Sequence, residues 1–277
     1  DNHTAETLYL WLNHYLSRME LVVGDRVVSL PSSLLQPVGF AADEAILPYP
    51  KNAYAGYRII QEYLSFPEAF RFVDITGLKS RLPAVQADEI SLRFHFSRIL
   101  PPDTRVTRDS MQLYCTPAVN LFSHEGEPVD LNGRQTEYRI SPSSRCPEHY
   151  EVFSIEQVEG WLEGRSGRGE PRIYTAFESF QHEVERDRGR TALYYRVRTR
   201  ESVRGDGFDH YISFVRGDET ECLNRQEAVS LTLTCTNRQL PQQLAVGEVC
   251  MATESTPAFA AFSNITRPTA TLRPTLD

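Results

Sequence analysis

Apolar residues open the chain at helical spacing: Leu8, Trp11, Leu12, Tyr15 and Met19 share one stripe, with Thr4 placed to cap its start. This pattern predicts a helix over residues 4–18. The run LVVGDRVVSL that follows predicts a hairpin turning at Gly24 and Asp25. A second helix is predicted over residues 54–65, with Tyr57, Ile60 and Leu64 on one face. Pro67 ends it and holds Phe66 in an extended conformation.

Beyond this point the period changes to two. Ile90, Leu92, Phe94 and Phe96 alternate with Ser91, Arg93, His95 and Ser97, which predicts a strand in a sheet with one wet face. Leu193, Tyr195 and Val197 alternate in the same way with Tyr194, Arg196, Arg198 and Arg200. The cleanest case is VSLTLTCT, where Val229, Leu231, Leu233 and Cys235 point one way and serine or threonine the other. A looser copy of its ending stands earlier as MQLYCTPAVNLF, with Leu113 and Cys115 at the parity of Leu233 and Cys235. Both cysteines are therefore expected in a core, each followed by a threonine where the strand leaves its sheet. The fold class expected is mainly β with a few helices, arranged as two β-sandwich-like units. The stretch SPSSRCP, residues 141–147, has the composition of a link, which sets the units at 1–145 and 146–277. If the units are related, Cys115 and Cys235 should occupy equivalent strand ends.

Composition narrows the function by exclusion. With 40% hydrophobic and 24% charged residues, the 277-residue chain is an ordinary globular one. A net charge of −8 argues against a nucleic-acid backbone as partner. Lys51 and Lys79 are the only lysines, so 27 of the 29 basic residues are arginine; residues 163–204 hold ten arginines against seven carboxylates. Five cysteines, an odd number without CxxC spacing, suit a reducing compartment. No apolar run is long enough to span a membrane. The chain opens at Asp1 without methionine and runs straight into a helical pattern, which reads as an excised fragment.

No HExxH, GxSxG, phosphate-loop or GxGxxG pattern is present, and the seven histidines are scattered singly. No catalytic residue, cofactor or metal is expected. From the residues alone, the chain reads as a β-rich scaffold or binding module without a visible active site.

Three longer runs carry a resemblance. They are ILPYPKNAYAGYRIIQEYLSFPEAFRF at 46–72, CTPAVNLFSHEGEPV at 115–129, and LTCTNRQLP with ITRPTATLRPTL at 233–241 and 265–276. In this order they resemble the signatures of the TssF family, also called VasA or ImpG, of the type VI secretion baseplate. The matching positions are Pro48, Tyr49, Gly56, Tyr57, Arg58, Glu62, Tyr63, Phe66 and Pro67 in the first run. In the second they are Cys115, Thr116, Asn120 and Leu121, and in the third Cys235, Thr236, Asn237, Arg238, Leu240 and Pro241. The resemblance implies a structural wedge component of a contractile injection machine, not an enzyme. It implies assembly with TssG, a second TssF copy, TssE and TssK, in a cytoplasmic baseplate docked at the inner membrane, with no nucleic acid and no membrane insertion. Family members are much longer, so a central fragment is implied.

The rival from another class is a β-sandwich carbohydrate-binding module or hydrolase, motivated by aromatics and abundant carboxylates. The first signature is expected to be internal architecture, its aromatics buried within the chain. Arg58 and Glu62 stand four apart in the less favourable arginine-first order, so each is expected to reach a separate intrachain partner.

Overall fold

The computed structural model describes residues 2–50, 53–84, 87–162, 170–177, 193–203, 205, 207–216 and 227–272. The chain forms two compact units, Asp1–Val119 and Asn120–Asp277.

In the first unit, α1 (Asn2–Leu10) runs on as a π-helical turn, Trp11–Tyr15, and then straightens into β1 (Leu16–Val23). Met19, expected at the end of the helix, is instead an inward residue of β1 beside Leu21 and Val23. The expected hairpin is present: β1 pairs with β2 (Arg26–Pro31) from Val23↔Arg26 onward, around Gly24 and Asp25. β5 (Ile90–Phe96) pairs on the other side of β1, giving the order β2-β1-β5. A short ribbon of β3 (Leu35–Pro37) and β4 (Val73–Ile75) completes the unit's strands. Its core gathers Leu12, Met19, Leu21, Leu30 and Leu35, with Leu92, Phe94, Val73 and Ile75 packed against them.

The second unit is a sandwich of two sheets. The long strands β9 (Glu151–Leu162) and β14 (Glu227–Thr236) form the centre of one sheet, flanked by β10 (Glu170–Ile173), β6 (Phe122–Glu125) and β7 (Val129–Leu131), in the order β10-β9-β14-β6 with β7 also on β14. β11 (Thr175–Ala176), β12 (Leu193–Glu201), β13 (Phe208–Arg216) and β8 (Tyr138–Arg139) form the other, in that order. Val229, Leu231, Leu233 and Cys235 face inward as their alternation requires and meet Ile212 of the opposite sheet.

Glu227 lies on the same inward row and is 2% exposed. Both of its carboxylate oxygens accept from the Tyr174 hydroxyl, at 3.0 Å. Gly160 makes room for this contact, because a Cβ there would stand 1.9 Å from Glu227 Oε1.

Two expectations are corrected. The boundary expected at 145/146 falls inside the second unit, because β6 and β7 pair with β14 and β8 pairs with β13. Residues 141–147 are a pinned loop: the Glu127 amide donates to Ser141 O at 2.8 Å, and the Ser144 amide donates to Glu127 Oε1 at 2.8 Å. Cys115 lies on no strand; it is half-buried in an irregular segment whose neighbours Leu113 and Tyr114 are exposed. Only Cys235 ends a strand in a core, so the two endings are not a structural repeat.

α2 (Ala55–Ser65) is an eleven-residue helix, ended where Pro67 holds Phe66 at φ −152° and ψ 77°. Its buried residues are Arg58 and Glu62, 3% and 1% exposed. Arg58 Nη1 donates to Glu62 Oε2 at 2.8 Å and to Gly39 O at 3.1 Å, and Nη2 donates to Phe40 O at 3.0 Å and Ala41 O at 3.2 Å. Glu62 Oε1 accepts from the amides of Ile46 and Leu47 at 2.9 and 3.0 Å. Glu44 braces the same loop, accepting from the Gly39 and Ala41 amides at 2.9 Å each; the Ala41 bond above all holds its carboxyl below the usual range. Gly39 sits at φ +102° with the Phe70 ring 3.1 Å from where a Cβ would stand, so only glycine fits. Arg58 and Glu62 thus each take the separate intrachain partners expected, carbonyls of residues 39–41 for one and the amides of Ile46 and Leu47 for the other, and they also bind each other.

Two measurements follow. Glu62→Ala leaves a guanidinium buried without its counter-charge and two amides without an acceptor, so it should cost about 3–5 kcal/mol in urea unfolding. Replacing both residues (Arg58→Met with Glu62→Leu) should not restore stability, since three carbonyls and two amides of the loop then lose their partners; a double variant as stable as wild type contradicts the clamp. Separately, burial and then the charge of Glu156 push the Cys235 thiol up to about 11. At pH 8 roughly one thiol in a thousand is ionised there, so Cys235 should label far more slowly than exposed Cys250. Equal labelling rates contradict its placement.

Candidate assembly surface

With Arg58 and Glu62 turned inward, the apolar stripe of α2 faces solvent. Tyr57, Ile60, Tyr63 and Leu64 are 72%, 59%, 57% and 69% exposed, and Tyr54 ahead of the helix is 74% exposed. At about 100° per residue these four cover an arc of about 120°, centred about 180° from the charged pair. The helix is amphipathic with the reverse of the usual sense: charge inside, aromatic outside. This corrects the expectation that the aromatics of the first signature are buried. Of that set, Phe66 is half-buried and Phe70 buried, while the tyrosines are open. One signal was available in the sequence. The only two charges of the helix stand four apart on one face, behind a loop with many backbone groups to satisfy.

Beside the stripe lies a groove of ≈ 320 Å³ walled by Tyr9, Phe40, Ile59, Tyr63, Pro67 and Phe70. Phe70 joins its walls through edge contacts to Phe40 and Tyr63, with ring centroids at 5.3 and 5.8 Å. An ion pair between Glu6 and Arg71, 3.2 Å apart, stands at its edge.

The other residues of the first signature support this element. The Tyr49 ring, next to Pro48, lies 5.8 Å from the Arg58 guanidinium, Gly56 passes under the Tyr54 ring, and Pro67 starts the turn Pro67–Arg71. The second signature is not organised in this way: Cys115 and Thr116 stand in the irregular segment, and Asn120 and Leu121 lead into β6. The third forms the exit of β14. After Cys235 and Thr236, Asn237 Nδ2 donates to His149 O at 3.4 Å, Arg238 takes φ +52°, and Leu240 and Pro241 begin the turn Leu240–Gln243.

A cleft of ≈ 230 Å³ includes Glu151, Asp209 and His210 in its lining. Burial pushes the His210 pKa down, and its Nδ1 has no hydrogen-bond partner among the described residues, where a triad requires a carboxylate. Asp209 is engaged by Arg139 at 2.7 Å. Cys146, Glu148 and His149 bring their ligand atoms within 4.8 Å of one another, a cluster the sequence reading missed. They lie on an open turn where His149 pairs with Glu148 at 3.6 Å. Cys222 and most of the arginine-rich stretch 163–192 lie outside the described residues.

The family described as "Type VI secretion system, TssF" matches residues 1–277. The type VI secretion system component TssF1 of Pseudomonas aeruginosa is 29% identical over 237 residues, which is 80% of this chain and 37% of that protein. A chain in the cryo-electron microscopy structure of the TssK-TssF-TssG baseplate subcomplex superposes with a TM-score of 0.74 at 29% identity, covering 98% of this chain and 48% of that one. This chain thus spans about half the length of these relatives, or less. The match over its full length, the order of the three signatures and the shared fold give one conclusion: the chain belongs to the TssF family of the type VI secretion system.

Proposed function

We propose that this chain is part of a structural wedge subunit of a type VI secretion baseplate, which acts by holding partner proteins in a fixed geometry. The observation that carries this reading is α2, whose apolar stripe is held outward by a buried ion pair. An exposed aromatic face on a braced helix is costly in an isolated protein and useful in an assembled one. TssG and TssK are the partners proposed first, since the solved relative belongs to a complex with both. The family resemblance adds TssE and a second TssF copy, and a cytoplasmic baseplate docked at the inner membrane. No helix among the described residues is long and apolar enough to cross a membrane. A sandwich hydrolase or carbohydrate-binding module is less well supported: the exposed tyrosines line a helix rather than a sugar-sized cleft, and His210 Nδ1 has no carboxylate partner among the described residues.

Co-expression of the full-length protein with TssG and TssK from the same genome tests this directly. All three should co-purify as one complex through size exclusion. Purification of the protein alone, or turnover of a glycan or ester by it, contradicts the proposal.

A further inference from the structure

We propose that the outward stripe of α2 and the groove beside it form a docking site for one amphipathic helix of a partner subunit, with an aliphatic, uncharged contacting face. The proposal rests on the assembly reading above and goes further by fixing the surface and the chemistry of its occupant.

Four observations converge on it. First, the stripe is a helical ridge: Tyr57, Ile60 and Leu64 follow at i, i+3 and i+7, the spacing that packs into the groove of another helix. Second, the stripe itself is uncharged. Between Tyr54 and Ser65 the only charged side chains are Arg58 and Glu62, and both are buried. A phosphate, a lipid headgroup or an acidic peptide would lose hydration on the stripe, and the cation lining the groove, Arg71, is already paired with Glu6.

Third, the area is sufficient. Three tyrosines, Ile60 and Leu64, each more than half exposed, offer on the order of 600–800 Å², close to one side of a standard interface. Fourth, the groove bordered by Tyr63 has room for one large anchor side chain, with Phe70 among its walls and the Glu6–Arg71 pair at its edge. The clamp on the loop stops α2 from rotating to bury its own stripe, so the site is formed before the partner arrives. A different subunit is favoured over a second copy because the solved relative sits in a complex with two other proteins.

The test places a photo-crosslinking benzoylphenylalanine at Tyr57 and, separately, at Leu64 of the full-length protein, co-expressed with TssG and TssK. Irradiation of the purified complex should join both positions to one helical segment of TssG or TssK with an apolar stripe. Crosslinks confined to the same polypeptide, crosslinks between two of its copies, or no crosslink at either position overturn the proposal. If the unsubstituted proteins form no complex, the assembly reading itself fails, and the two failures stay distinct. As a second measurement, Tyr57→Ser with Leu64→Ser should weaken the complex at least tenfold and leave thermal unfolding of the protein unchanged, since both side chains are mostly exposed. Unaltered affinity counts equally against the site.

Discussion

A guanidinium and a carboxylate, each almost wholly removed from water, set the orientation of α2. Burying such a pair is expensive, and attraction between its members offsets the cost only when the remaining donors and acceptors are also used. Here all but the Arg58 Nε, which has no partner among the described residues, are used on one loop. Arg58 takes three consecutive carbonyls, Glu62 takes two amides, and Glu44 takes two more from the other side. Residues 39–47 contain little regular structure, and these side chains stand in for the backbone ladder they lack. The stripe of α2 is then turned to solvent as a consequence.

The second unit solves a similar problem differently. Its sheets pack through alternating apolar rows, and one carboxylate, Glu227, interrupts the row at the end of β14. The Tyr174 hydroxyl and the space above Gly160 accommodate it. In this unit a buried carboxyl group is absorbed into a sandwich that closes around it. In the first unit the buried charges displace an apolar face outward, and there the outer surface gains something to offer a partner.

How much of this was legible depended on whether the pattern was long and had only one physical meaning. Most of β14 was legible, because the eight positions from Val229 to Thr236 alternate strictly and admit one arrangement, while Glu227 on the same inward row breaks the pattern. The Gly24–Asp25 hairpin was legible from its turn chemistry. β6, β7 and β8 were not, since runs of two to four residues carry no period, and the unit boundary was misplaced as a result. The Cys115 echo misled because parity means something only within a strand, and Pro117 with exposed Leu113 marks a segment that forms none. Val197 has the parity of an inward residue yet is 44% exposed, in a strand whose second half faces solvent. α2 is the most instructive case. Periodicity located its two faces correctly, but not which one faces the protein, because that choice depends on loop groups distant in sequence.

The buried clamp is the claim on which the outward face of α2 depends, and amide hydrogen exchange at Ile46 and Leu47 probes it most directly. Both amides donate to Glu62 Oε1 and to no backbone carbonyl among the described residues. Exchange followed at residue resolution in the full-length protein should find them protected to the level of the α2 interior. Exchange at the rate of an open loop would mean that the carboxylate does not hold the segment, and that the outward face of α2 has another cause.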